Sequence, residues 1–170
     1  GHYLEDVTIG TISVPGSVNN NFYANVYNTQ GQDVSSNYTI TKDMGTLEIS
    51  KRDITITSAS DSKVYDGIAL TNPQASITDG SLLANHNIAY DVTGSIIHVG
   101  ESDNTFIYTI ADQDAIDISH YYNVTKDLGT LEVTPVELTI SSDSDTKAYD
   151  GTPLTNDNWQ LRSGSLISGH

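Results

Sequence analysis

Two copies of a Lys-x-Tyr-Asp-Gly motif contain the residues that most resemble a reactive site in their types and spacing. The members are Lys63, Tyr65, Asp66 and Gly67 in one copy, and Lys147, Tyr149, Asp150 and Gly151 in the other. Asp-Gly favours a tight turn, because glycine tolerates positive φ and aspartate bonds nearby backbone groups. We therefore predict a structural turn, with the tyrosine ring on the core and the lysine stem over apolar surface, its ammonium in water or paired to a carboxylate.

An intramolecular isopeptide crosslink from Lys to Asn or Asp is the most reactive chemistry that the recurring residues could supply. The candidate groups are Lys63 or Lys42, Asn72 or Asn20, and Glu48 or Asp43. Such a bond needs a buried trio of side chains, and both lysines lie in polar stretches of sequence. We therefore expect an uncrosslinked chain, whose intact mass would carry no deficit of ammonia or water.

Metal sites are poorly supported by the sequence. His2, His86 and His170 recur without a His or Cys partner at ligand spacing, and His98 and His120 do not recur. Three aspartates, Asp61, Asp143 and Asp145, lie in Ser/Asp-rich joints and could supply oxygens to calcium, but no Asp-x-Asp-x-Asp-Gly loop is present. We expect no cofactor, with calcium as the alternative and a solvated acidic linker as the default.

Signatures of catalysis are missing from the sequence. It contains no Gly-x-Ser-x-Gly, no His-Glu-x-x-His and no phosphate-binding glycine loop before a helix. We do not expect an enzyme. Candidate ligand-binding residues are the aromatics that do not recur, Trp159 and Tyr121, although Trp159 lies in a strand-like stretch and fits a core-filling role better.

A shift of 84 positions lays the chain on itself without a gap. Lys63 then meets Lys147, and the segment 43–48 (Asp-Met-Gly-Thr-Leu-Glu) meets 127–132 (Asp-Leu-Gly-Thr-Leu-Glu). Such a period is typical of a tandem-repeat protein. Near-copies in series supply length, valency or repeated weak binding, whereas a catalytic site needs one constellation of unlike residues.

The amino-acid composition restricts the kinds of molecule that the chain could bind. Twenty-two acidic and seven basic residues give a formal charge of −15, which leaves too few cations for nucleic acid or anionic membrane surfaces. There is no cysteine, so disulfides and thiolate metal sites are excluded. No stretch approaches eighteen apolar residues, so we predict no membrane insertion.

The elements that must position these residues are predicted to be short β-strands, mostly antiparallel. β-Branched residues and tyrosines alternate with polar ones between Gly, Asn and Asp, which gives about seven strands per repeat. Phe106, Tyr108 and Ile110 share one face, which we predict to be core. The other predicted strands are Ile54 to Thr57, Ala75 to Thr78, Ile88 to Thr93, Ser95 to Val99, Tyr122 to Thr125 and Gly129 to Thr134, with one helical turn at Gly80 to His86.

The boundary between repeats is placed near Lys51 and Pro135, where a last strand, a joint and a first strand follow each other. Residues 52–134 are then a complete repeat domain, 1–51 the C-terminal part of a preceding repeat, and 135–170 the N-terminal part of a following one. The alternative is two whole domains that start near His2. On the first division, the incomplete ends are expected to stay disordered or to complete each other within or between chains.

The residues that recur resemble a known family. The run from Ser60 to Gly67, then Gly80-Ser81-Leu82, Val92-Thr93-Gly94-Ser95, Tyr122-Asn123 and Gly129-Thr130-Leu131, resembles the YDG-type repeats of large bacterial surface proteins, which are related to the MBG repeats of adhesins. The resemblance spans the whole chain. It implies an exported, often wall-anchored protein of adhesin type and a compact β-grasp-like domain, while periodicity alone equally allows an immunoglobulin-like sandwich. It implies no catalytic residues.

The function expected from these observations is a stalk or spacer that holds a binding region of an adhesin away from the bacterial cell. Its partners would be neighbouring repeats of the same protein, and its location the cell surface or cell wall. Two alternatives stay open: each repeat binds host glycan or protein weakly, with avidity from many copies, or the chains associate head-to-tail into a fibre.

Overall fold

The computed structural model describes residues 1–169, which form an all-β protein. Fourteen short strands are joined by turns and by two single 3-10 turns, Ser35–Asn37 and Ser119–Tyr121. The strands are β1 (Tyr3–Thr8), β2 (Gly16–Asn19), β3 (Phe22–Tyr27), β4 (Thr46–Ile49), β5 (Arg52–Ser58), β6 (Asp61–Val64), β7 (Ala75–Gly80), β8 (Asn87–Val92), β9 (Gly100–Asp103), β10 (Phe106–Ala111), β11 (Tyr122–Asp127), β12 (Thr130–Thr134), β13 (Thr139–Ser142) and β14 (Trp159–Ser163). Within the described residues, no helix is long and apolar enough to span a membrane.

Alternation of apolar and polar residues accounts for the strands. In β10, Phe106 and Ile110 are buried and Tyr108 is half-buried, while the intervening Ile107 is exposed. This is the face that the sequence predicts to be core. In β5 the buried positions are Ile54, Ile56 and Ser58, again two residues apart.

The strands form small sheets. The larger ones have the orders β11-β5-β7 and β6-β12-β9, and the remaining strands pair as β1-β3, β10-β8, β13-β14 and β2-β4. Antiparallel pairing relates β1 to β3, β12 to β9, β13 to β14 and β2 to β4. The pair β12 and β6 is parallel, with Leu131 opposite Asp61 and Thr134 opposite Val64.

Two of the predicted elements are wrong. The stretch Ser95 to Val99 is not a strand, because Ile96 exchanges a single pair of backbone hydrogen bonds with Leu70 and the next strand, β9, starts at Gly100. The predicted helical turn at Gly80 to His86 is a tight turn. Its residue Asn85 has φ 66°, in the left-handed region, and the His86 N–H bonds the Leu83 carbonyl.

The chain divides into two compact units, each made of several segments. The first contains Gly1–Ile54, Leu82–Asn87 and Ile110–Thr125; the second contains Thr55–Ser81, Ile88–Thr109 and the chain from Lys126 onward. Buried hydrophobic side chains of the first unit are those of Val26, Ile54, Ile110, Ile118 and Tyr122. Those of the second unit are Ile56, Leu70, Phe106, Leu131 and Val133.

Two similar turns differ at one residue that has positive φ. Gly31 has φ 76° and its N–H bonds the Asn28 carbonyl, whereas Ala115 has φ 61° and its N–H bonds the Asp112 carbonyl. The left-handed conformation costs alanine about 1 kcal/mol, because its Cβ crowds the following carbonyl, and costs glycine little. The turn at Ala115 therefore stores strain that the turn at Gly31 does not.

We expect Ala115→Gly to raise the free energy of unfolding by about 1 kcal/mol, because it relieves this strain. The matched variant Gly31→Ala should lower the free energy of unfolding by a similar amount, since a Cβ there meets no atom within 4 Å and only the backbone is strained. Urea denaturation followed by circular dichroism measures both. Equal and opposite shifts support the account, while a loss of stability in Ala115→Gly contradicts it.

Candidate functional site

The Lys63 motif forms a closed turn. The Lys63 ammonium donates to Asp66 Oδ1 at 2.6 Å and to the Ile68 carbonyl at 2.6 Å. Asp66 Oδ1 also accepts from the Ile68 N–H at 2.9 Å, and Gly67 has φ 79°. The lysine thus closes the loop by bonding two groups within it, and the glycine supplies the backbone conformation that the turn requires.

The second motif has the same geometry. Lys147 Nζ lies 2.9 Å from Asp150 Oδ1 and donates to the Pro153 carbonyl at 3.1 Å. Asp150 Oδ1 accepts from the Thr152 N–H at 2.9 Å, and Gly151 has φ 77°. In both copies the residues that the sequence singles out are brought together, and what they build is a turn.

The two motif tyrosines have different environments. Tyr65 is half-buried and packs against the buried cluster of Leu70, Leu131 and Val133, as the sequence analysis expects. Tyr149 is 97% exposed, so the same expectation is wrong for the second copy. The reason is the absence of a cluster like that beneath Tyr65: Leu154, which lies 84 positions after Leu70, is itself exposed.

The turn carboxylates are held in their charged form. Hydrogen bonding from the Lys63 side chain, followed by the Ile68 N–H, lowers the pKa of Asp66 below its ordinary value. For Asp150 the largest cause of the lowered pKa is the Thr152 hydroxyl, followed by Lys147 and the Thr152 N–H. Both carboxylates lie at the surface, where their hydrogen bonds shape the turn.

The most completely enclosed polar group is Asn104. Its Nδ2 donates to the Ala59 carbonyl at 2.8 Å and to the Asn72 carbonyl at 2.9 Å. Its backbone N–H donates to the Gly129 carbonyl at 2.7 Å, and its backbone carbonyl accepts from Ser58 Oγ at 2.6 Å. The Ser58 hydroxyl also accepts from the Gly129 N–H at 3.0 Å. One buried residue thereby ties together segments that are far apart in sequence.

Two glycines make room for this arrangement. A Cβ on Gly94 would lie 2.3 Å from Asn104 Oδ1, and one on Gly129 would lie 2.4 Å from the Ala59 carbonyl oxygen. Neither contact can be relieved without moving backbone. Sequence reasoning did not identify Asn104 as a site residue, although one signal was available: Gly94, Asn104 and Gly129 lie 84 positions after Gly10, Asn20 and Gly45.

The His86 ring is held by a tyrosine hydroxyl. Tyr122 Oη accepts from the Leu83 N–H at 3.1 Å and lies 2.6 Å from His86 Nδ1. The Tyr122 hydroxyl therefore contacts both the Leu83 backbone and the His86 ring. His2 and Tyr38 form the same pair.

A cavity of about 350 Å³ in the first unit contains one of the candidate ligand-binding residues, Tyr121. Its walls are mostly apolar, and Arg52 and His86 add polar groups. The other candidate, Trp159, lies in β14 and is 68% exposed, so its core-filling role is wrong. In this structure β14 is paired with β13 alone and the indole has no core to enter.

The candidate calcium ligands have other partners. Asp61 Oδ1 accepts from the Ser62 N–H and Asp145 Oδ1 accepts from the Thr146 N–H, at 2.8 and 2.7 Å. Asp143 Oδ1 accepts from Gln160 Nε2 at 3.2 Å. Among residues 1–169 no three or more His, Asp or Glu side chains are grouped so that they could hold a metal ion.

Comparisons of the chain with protein families, with curated proteins and with solved structures found no match.

We expect Asn104→Ala to lower the free energy of unfolding by about 2 to 4 kcal/mol, because it removes the donor to two partly buried backbone carbonyls and leaves a void in the core. The matched variant Asn20→Ala should cost about 1 kcal/mol or less, since Asn20 is only partly buried. Urea denaturation compares the two. Equal costs would contradict the role assigned to the Asn104 amide.

We expect Lys63→Met to raise the pKa of Asp66 toward the ordinary value of about 3.9, because the largest stabilising bond to the carboxylate is lost. Lys147→Met should raise the pKa of Asp150 by less, since Thr152 remains as the larger cause. A pKa lowered in the folded protein adds stability above the unfolded value, and that stability is lost as the pH falls through the folded value, here below about 4. NMR titration of the two carboxyl carbons measures both shifts, and equal shifts would contradict the assignment.

Proposed function

We propose that this chain is part of a tandem-repeat stalk of a bacterial surface adhesin, in which residues 52–134 are one repeat domain. Its task is to hold a binding region at a distance from the cell and to resist tension. The proposal assigns it no catalysis and no cofactor. Its immediate partners are the neighbouring repeats, represented here by residues 1–51 and 135–170, and its location is extracellular.

Recurrence of the strands supports the repeat organisation. The strands β1, β2, β3, β4 and β7 each begin 84 positions before a second strand, namely β8, β9, β10, β12 and β14. The two 3-10 turns are also 84 positions apart. Equal spacing of so many elements is expected from copies of one domain and not from a single irregular one.

The distribution of buried side chains supports residues 52–134 as the complete repeat. Of the ten buried hydrophobic residues in the described chain, nine lie between Ile54 and Val133, and the tenth is Val26. A domain is defined by its own core. The bacterial surface location is supported by the resemblance to YDG-type repeats, which the Lys63 and Lys147 turns carry.

The observation that carries the stalk proposal is the parallel pairing of β6 with β12. β6 lies near the start of the proposed repeat and β12 lies at its end. Tension applied to the two ends of the repeat pulls the start of β6 and the end of β12 in opposite directions. Parallel strands loaded in this way slide along each other, so their hydrogen bonds carry the load together and do not open one at a time.

Further bonds extend this loaded contact beyond the strand ladder. The Thr130 N–H donates to Ser60 Oγ at 2.9 Å, just before the ladder begins. The Tyr65 N–H donates to the Thr134 carbonyl at 2.8 Å, just after β6 ends. The apolar side chains of Leu131 and Val133 are buried on one face of the ladder.

We expect Thr130→Pro to lower the force at which the chain unfolds, because it removes the N–H that bonds Ser60 in the loaded contact. The matched control is Thr93→Pro. Thr93 is also an exposed threonine, and its N–H donates to the Thr105 carbonyl at 2.8 Å, away from β6 and β12. Each proline should lower the free energy of unfolding by about 1 to 3 kcal/mol.

Single-molecule force spectroscopy on the full chain, held at its two ends, separates the two effects. A high unfolding force that falls in Thr130→Pro and not in Thr93→Pro supports a load-bearing repeat. Unfolding at low force, or an equal fall in both variants, contradicts it. Saturable binding of this chain to a glycan or host protein would favour the alternative in which the repeat itself is the binding module.

A further inference from the structure

One face of the β1–β3 pair carries exposed tyrosines. The two strands are antiparallel, with Tyr3 opposite Tyr27 and Val7 opposite Tyr23. In each strand these positions are four residues apart, so the side chains lie on the same face of the sheet, which we call the tyrosine face. Val26, which lies on the other face, is buried. The tyrosine face therefore points away from the core.

The rings of the tyrosine face are accessible to a ligand. Tyr23 is 59% exposed and Tyr3 is 49% exposed, while Tyr27 is half-buried. The ring centroids of Tyr3 and Tyr27 are 5.8 Å apart, and the two ring planes differ by 26°. Tyr23 and Tyr27 are four residues apart in one strand, a distance of about 13 Å. The rings therefore lie along a strip and not at a single point.

Two polar side chains lie among these rings. Glu5 and Asn25 are opposite each other at the centre of the tyrosine face, and both are exposed. The carboxylate of Glu5 accepts hydrogen bonds, and the amide of Asn25 both donates and accepts them. Apolar rings with a few polar groups between them are typical of sites for small ligands.

The exposure of this face does not depend on further repeats. The corresponding face of β8 and β10 belongs to residues 52–134, which contain both halves of the proposed repeat. There Ile107, which lies 84 positions after Tyr23, is 62% exposed, and Thr109 is exposed as well. The first half of a repeat therefore does not cover this face. The repeat that follows β1 and β3 is present too, and it leaves Tyr3 and Tyr23 exposed.

The size of the tyrosine face favours a small occupant. Each of the two strands has six residues. At about 3.3 Å per residue and about 4.8 Å per strand, the face measures about 20 Å by 10 Å, or about 200 Å². Each partner in a stable protein complex buries about 800 Å². The available surface is therefore too small for a second protein and sufficient for a short polymer of small rings.

The charge on the tyrosine face favours a neutral ligand. Glu5 supplies one carboxylate, and the Lys42 ammonium lies 5.0 Å from the Tyr23 ring centroid. The formal charge of the whole chain, −15, repels polyanions such as sulfated glycans. Neutral β-linked sugars of the glucose type fit these conditions, because their equatorial hydroxyls lie at the ring edge and their C–H bonds point to both ring faces.

We propose that the tyrosine face binds a neutral, linear, β-linked oligosaccharide. The sugar rings stack on Tyr3, Tyr23 and Tyr27, because their C–H bonds carry partial positive charge and the faces of aromatic rings are negative. The sugar hydroxyls bond Glu5 and Asn25. A linear chain of sugars reaches both ends of the strip, whereas a single sugar covers only one end.

Binding and load-bearing are assigned to different parts of the chain. The tyrosine face lies in residues 1–51, and its tyrosines are replaced by Asn87, Ile107 and Ala111 in the next copy. The loaded contact of β6 with β12 lies in residues 52–134. The inference thus goes beyond the proposed stalk and gives the alternative binding role to one copy alone.

NMR titration of the full, isotope-labelled chain tests the proposal. The probes are cellohexaose and chitohexaose, linear β-linked oligomers of glucose and of N-acetylglucosamine. Amide signals of β1 and β3 should shift in a saturable way with at least one of them, with a Kd of about 1 mM or below. Maltohexaose, whose α-linkages curve the chain away from a flat surface, should bind at least about fivefold more weakly than that oligomer.

Matched variants identify the rings that bind. Tyr23→Ala should weaken binding by about fivefold, since one stacking ring is lost. Tyr23→Phe keeps the ring and should bind within about twofold of the parent chain. The control is Ile107→Ala, at the corresponding exposed position of β10, which should leave the Kd unchanged. Circular dichroism checks that each variant keeps the parent fold.

Three results overturn the proposal. They are the absence of shifts with both β-linked oligomers at about 10 mM, shifts confined to signals outside β1 and β3, and a folded Tyr23→Ala chain that binds as tightly as the parent. Equal binding of maltohexaose would overturn the choice of a β-linked ligand. These outcomes do not depend on the force at which residues 52–134 unfold, so the stalk role can fail or hold separately.

Discussion

Enclosure of the Asn104 side chain is the constraint on which the second unit depends. Its amide and backbone bond four segments of the chain, around Ser58, Asn72, Asn104 and Gly129. Without these bonds, backbone groups at buried and partly buried positions would lack a partner, which costs about 1 to 3 kcal/mol each. The nearby glycines are required because any Cβ would collide with this network. The strand order around it follows once these bonds are made.

The hydrogen bonds around Asn104 also bear on the proposed stalk role. Ser58 bonds Gly129 just before β12, Ser60 bonds the first residue of β12, and Tyr65 bonds its last, so the contact between β6 and β12 is extended at both ends. In the proposed stalk, these bonds would oppose sliding of β6 along β12.

Equivalent residues of the two sequence copies differ in burial because different segments pack over them. Tyr65 and Tyr149 belong to the same motif and have the same turn beside them, yet one packs on a core and the other is in solvent. Asn20 and Asn104 also differ in burial, since Asn104 is fully buried and Asn20 only partly. The residue types are the same, so the difference is in the partner segments that each copy has within reach.

The sequence by itself determined the all-β class, the strand β10 with its buried face, and the Lys-x-Tyr-Asp-Gly turns, because each depends on residues within a few positions of one another. It did not determine the parallel pairing of β6 with β12, the burial of Asn104 or the exposure of Tyr149. Ser58 and Gly129 are 71 residues apart, and nothing in either segment specifies the other. Only the tertiary structure brings such segments together, since burial and long-range hydrogen bonding are properties of the assembled core and not of any local pattern.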